Sequence, residues 1–102
     1  MFEKDEFEKL DNQYFKIFQK TAFHIILMSK NTNHFWDIES KSLFYGQRAI
    51  VVHHKHKKED NFHVQLRFHP RTIDEAQNLI IEHDLWHLNG RKQQNRTRKN
   101  AG

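Results

Sequence analysis

Residues 61–69 carry the pattern that most limits how this chain can fold. Phe62, Val64, Leu66 and Phe68 alternate with His63, Gln65 and Arg67. A strict period of two belongs to a β-strand with one apolar and one polar face. Just before it, residues 47–57 contain the β-branched run Ile50, Val51 and Val52, again a strand signal. The polar connection Lys57, Lys58, Glu59 and Asp60 has hairpin length. Two strands alone do not hold together in water, so the hairpin needs further strands or a helix against its apolar side.

The segment after Pro70 supplies a helix. Proline ends a strand. Thr72 is a favourable N-cap and Glu75 stands three residues on, as in a capping box. Asn89 and Gly90 form a stop signal, because glycine enters the left-handed conformation cheaply. A helix over about 73–88 follows. At the other end, Phe7, Leu10, Tyr14, Ile17 and Phe18 recur at steps of three and four within residues 3–20, which predicts an N-terminal helix. Residues 22–28 favour a buried strand. Residues 29–46 mix turn formers with aromatics and give no clear element. The expected fold is α+β: an N-terminal helix, a small antiparallel sheet with a central β-hairpin (about 47–57 and 61–69), and a C-terminal helix packed on the sheet. One domain over 1–90 and a basic tail over 91–102 is the expected division.

Charge is unevenly placed. Residues 1–11 hold five acids and two lysines, a net of −3, whereas Arg91, Lys92, Arg96, Arg98 and Lys99 put +5 into the tail. The whole chain carries +4 with histidine neutral. Basic segments of this kind suit an anionic partner. There is no cysteine, which excludes disulfides and thiolate metal sites and fits a cytoplasmic protein. No apolar run is long enough to span a membrane. The acid-rich N-terminus lacks the basic-then-apolar layout of a signal peptide. With glycine only at 46, 90 and 102, a phosphate-binding glycine loop is excluded.

The nine histidines fall partly into two constellations. On a helical wheel His83 and His87 share the apolar face with Ala76 and Ile80, and two histidines four apart on a helix can chelate a metal. The stretch His83-Asp84-Leu85-Trp86-His87 resembles, over five residues, the His-Glu-x-x-His signature of zinc metalloproteases. That resemblance implies a zinc ion and puts Asp84 at the position of the general base. The second constellation is in the hairpin. If the chain turns at 58 and 59, His54 lies opposite His63, and His56 shares their face. Three imidazoles so placed could hold zinc facially. The alternative is that these histidines pack or titrate without metal.

The function expected from sequence is binding of an anionic partner, nucleic acid or an acidic protein. The contacting residues would be Arg48, Lys55, Lys57, Lys58 and Arg67 of the hairpin and the five cations of the tail. Two alternatives stand beside it. One is a metal-dependent hydrolase using His54, His56 and His63 or His83 and His87. The other is a protein-interaction module, a homodimer among the choices, with an exposed apolar surface at Trp36, Phe44 and Tyr45. Apart from zinc in the hydrolase reading, no cofactor is expected.

Overall fold

The computed structural model describes residues 1–90. The tail cations Arg91, Lys92, Arg96, Arg98 and Lys99 lie outside the described residues. A short helix α1 (Lys4–Phe7) leads into five strands: β1 (Phe15–Lys20), β2 (His24–Ser29), β3 (Phe35–Ser42), β4 (Arg48–Lys55) and β5 (His63–Val64). Helix α2 (Ile73–Leu88) ends the described chain. The strands form one antiparallel sheet in sequence order, β1-β2-β3-β4-β5. The architecture is α+β, with α2 covering one face.

Alternation sets the core. Ile25 and Leu27 on β2, Trp36 and Ile38 on β3, and Ile50 and Val52 on β4 all turn inward. There they meet Ile73, Ala76 and Ile80 of α2. Burying such side chains stabilises by roughly 1.5–3 kcal/mol each, before conformational entropy is counted. Gln77, also buried, ties the N-terminal segment to α2. Its carbonyl accepts from the Asp11 amide at 2.8 Å and its amide donates to the Lys9 carbonyl at 2.9 Å.

The helix expected over 3–20 is replaced by four residues of α1 and by β1. Asp11 is the cause. Its side chain accepts from the amides of Gln13 and Tyr14, an Asx turn that competes with helix. Beyond it Phe15 and Ile17 face the core while Lys16 faces solvent. The apolar stripe was therefore a chance overlap of two periods. Residues 29–46, without an element from sequence, contain β3 and one 3₁₀ turn at Phe44–Gly46.

The hairpin register holds: His54 pairs with His63 and His53 with Val64. The second strand is shorter than expected, since β5 stops at Val64. Continuing it would keep His63, Gln65 and Arg67 on the helix-covered face and leave Phe68 on the open one. Instead the Phe68 amide donates to the Gln65 carbonyl in a turn. That turn reverses the parity and packs Phe68 over Trp36, with ring centroids 6.2 Å apart. Burying an arginine against Ile50 would cost more than the strand pairs lost.

Helix α2 begins and ends where the sequence places it. Thr72 Oγ1 accepts from the Glu75 amide at 3.1 Å, and Gly90 adopts φ 61° beyond the last turn. The Glu75 carboxylate reaches the Arg71 amide, one residue short of a full capping box. Among the described residues no helix is long and apolar enough to cross a membrane.

Candidate metal centre

The two histidine constellations of the sequence are one cluster in the structure. Helix α2 lies across the sheet so that His83 and His87 meet the hairpin histidines, and His34 sits among them. His34 was not anticipated from sequence. Its ring centroid is 5.0 Å from that of His54, 4.3 Å from His56 and 4.5 Å from His87. His54 in turn lies 4.9 Å from His83 and 5.5 Å from His63.

Local structure explains how His34 reaches this place. The β2–β3 turn is closed by the Asn33 amide donating to the Ser29 carbonyl. Asn33 takes φ 61°, a left-handed conformation that asparagine tolerates better than most residues. Thr32 Oγ1 accepts from the His34 amide and donates to the Asp84 carboxylate, both at 3.2 Å. The loop is thus pinned to α2, and His34 is turned inward with 5% of its surface exposed.

Asp84 does not stand where a zinc protease holds its general base. It is fully buried and accepts from Tyr14 Oη at 2.7 Å as well as from Thr32. Both contacts suit an ionised carboxylate. Burial, with Asp84 beside it, raises the Tyr14 phenol well above its ordinary value, so it stays a donor. The five-residue resemblance to metalloproteases accordingly does not extend to this geometry, and Asp84 is a fixed strut joining Tyr14, just before β1, and the β2–β3 loop to α2.

At the centre, His34 Nδ1 and His54 Nε2 are 3.1 Å apart. The Gln65 amide nitrogen is 3.0 Å from His54 Nδ1 and donates to it. The His54 proton therefore sits on Nε2 and is donated to His34 Nδ1. Burial, and then the neighbouring His56 and His87, push His34 down to about 4. Burial, and then His83 and His34, push His54 down to about 3. Both rings are neutral at pH 7, the form that ligates metal.

Two compact donor groups result, His34 with His54 and His56, and His34 with His83 and Asp84. In each, one ligand atom per residue lies within 4.8 Å of the others. Asp84 and His34 are buried in the second group, but Asp84 is already engaged by two hydroxyls. The first group has two buried rings and one exposed, His56. His63 shares the face, as the register requires, yet it stands at the rim, and His34 occupies the place expected for it.

The hairpin cations are dispersed. Arg48 is paired with Glu6 at the far end of β4. Lys55 lies on the open face of the sheet, its Nζ 4.5 Å from the Phe62 ring centroid and 5.5 Å from that of Phe35. Lys57, Lys58 and Arg67 are exposed. Of the apolar surface expected at Trp36, Phe44 and Tyr45, Phe44 and Tyr45 are exposed, but Trp36 is fully buried. Alternation on β3 puts Trp36 in the core between Ile38 and His34. Comparison with known protein families, with curated proteins and with solved structures gives no match for this chain.

Proposed function

We propose that this protein binds a transition metal of the zinc class through His34 Nδ1, His54 Nε2 and His56. The observation that carries the reading is the buried, neutral His34–His54 pair, 3.1 Å between ring nitrogens. Two nitrogens on one tetrahedral zinc, each at about 2.0–2.1 Å, stand about 3.3 Å apart. The nitrogens need to part only slightly, and each must re-aim its lone pair by about 35° from the line between them, a tilt that His54 can make within the plane of its stack on Trp36. His56 is exposed but stacks on His34, the ring centroids 4.3 Å apart and 11° from parallel, so its ring must leave that stack to turn toward the same point.

Gln65 is suited to both states. Without metal its amide nitrogen donates to His54 Nδ1. When Nε2 gives its lone pair to a metal, the proton moves to Nδ1. Gln65 then serves as acceptor by turning its amide over, an outer partner that fixes the ring. Three imidazoles would leave a tetrahedral ion one further position for water or substrate. This is the donor set of hydrolytic zinc, in which bound water ionises near neutral pH. Hydrolysis is the activity this reading assigns. Cobalt(II) titration of the untagged protein tests it. Intense visible bands of a tetrahedral site, lost in His54→Ala and displaced by zinc, are the expected result. A spectrum no different from aqueous cobalt would refute it.

A second reading is favoured by the β4–β5 turn. Lys55 stands there beside Phe35 and Phe62 with Lys58 next to it, and Lys57 is exposed in the same turn, a pairing of cations and aromatic rings that suits a single-stranded nucleic acid. Affinity for an oligonucleotide should then fall steeply with salt and fall again in the Lys55, Lys57, Lys58 triple alanine variant. Salt-independent binding would remove this reading.

A further inference from the structure

The sheet has two outer edges, and they are treated differently. β1 is guarded: Lys16 and Lys20 project from it, and its pairing with β2 is broken by a bulge between Ile17 and Gln19. Both are devices that discourage strand addition. Along Ala49–Val51, β4 carries neither a charge nor a bulge. β5 covers it at His53 and His54, and the Gln65 amide adds one bond to the Val52 carbonyl. From Val51 back to Arg48 the outer edge has no strand beside it among the described residues.

Parity shows which groups are open. Val52 and His54 bond outward to β5, so Ile50 and Arg48 also aim their amides and carbonyls outward. The chain beyond Val64 swings away to seat Phe68 in the core, as described above. A wedge of about 390 Å³ is left between the β4 edge and residues 64–71. Its walls carry Val64 and Leu66, 42% and 79% exposed, together with Pro70 and Arg71.

We infer that this wedge binds an extended acidic peptide of a partner protein, which adds to the sheet as a strand along Arg48–Val51. Main-chain bonds to Ile50 and Arg48 supply the affinity, and alternate side chains meet Val64 and Leu66 on one side. Charge selects the occupant. No residue lining the wedge is acidic, whereas Arg48, His69 and Arg71 all line it. Arg48 is already offset by Glu6, but Arg71 makes no ion pair among the described residues. A second copy docking by the same edge would bring these cations against their own counterparts, a repulsive isologous contact. The chain's own tail, with five cations and no acid in residues 91–102, has the wrong sign.

The test uses the full chain and synthetic heptapeptides. One alternates glutamate with valine, and one alternates lysine with valine. Two further versions of the acidic peptide are N-methylated at alternate residues, on one edge or on the other. The acidic peptide should bind at least ten-fold tighter than the basic one. N-methylation on one edge should abolish binding, and on the other should leave it intact. Hydrogen exchange at the Ile50 amide should slow in the complex, and Arg71→Glu, a surface change, should weaken binding at least ten-fold. Equal binding of both charge types, indifference to N-methylation, no binding at millimolar peptide, or self-association that protects Ile50 without peptide would each overturn the proposal.

Discussion

His54 lies flat on Trp36, the ring centroids 4.0 Å apart and the planes 18° from parallel. One face of the imidazole is therefore committed to the core, while its edge faces His34 and the cluster. The ring cannot turn without breaking the stack, so Nε2 is held on His34. The indole is itself fixed, since Nε1 donates to Ser29 Oγ at 3.0 Å and the whole side chain is buried. The candidate site is thus built on rigid strands, as a pre-organised ligand set requires.

This stack makes Trp36 a reporter. Metal at His54 withdraws charge from a ring in contact with the indole, so Trp36 fluorescence should fall on zinc addition. The other tryptophan, Trp86, is removed as Trp86→Phe to isolate the signal. Trp36→Ala should cost about 3–5 kcal/mol in urea unfolding. Ser29→Ala, which leaves a buried indole N–H unbonded, should cost about 1–3 kcal/mol.

Stability of the metal-free protein should fall as pH drops. His34 and His54 have folded values of about 4 and about 3, below the ordinary 6.5. The unfolded chain takes up these protons first, so the neutral rings favour folding above pH 6.5. That contribution is lost progressively as pH falls toward the folded values. The combined effect is on the order of a few kcal/mol. Urea midpoints at pH 7.5 and pH 5, in chelator, should differ clearly in the native sequence and less in His54→Leu. An unchanged pH slope in His54→Leu would show that other groups carry it.

The Asp84 strut should be worth more to stability than its length suggests. Tyr14→Phe removes a hydroxyl bonded to a fully buried carboxylate. Hydrogen bonds to charged groups contribute about 1.5–3 kcal/mol. Thr32→Val should cost less in unfolding free energy, because its contact with Asp84 is longer, 3.2 Å. It should, however, loosen the His34 loop and weaken metal affinity. Calorimetric zinc titration beside urea unfolding separates the two effects.

The elements set by local chemistry were legible in the sequence. Thr72 and Gly90 bracket α2, and the polar run at 57–60 centres the hairpin so that His54 faces His63. What was not legible depends on contacts far along the chain. The Asx turn at Asp11 overrode a helical stripe, and the need to seat Phe68 cut β5 short. His34 stands 20 residues from His54 and has no histidine within eight positions, so no spacing rule singles it out. A strand reading of residues 35–42 would have shown that His34 shares parity with Trp36. The fusion of two histidine groups into one depended on where α2 lies across the sheet, which neither group reveals alone.

Native mass spectrometry of the untagged protein, before and after chelator and zinc repletion, tests the metal centre most directly. The account predicts one zinc per chain, abolished in His34→Ala and in His54→Ala. Zinc should be retained in His24→Ala and His53→Ala, whose rings lie on the open face of the sheet beside Asp37 and Glu39. A protein that takes up no zinc, or that holds it equally well without His34 and His54, would contradict the account.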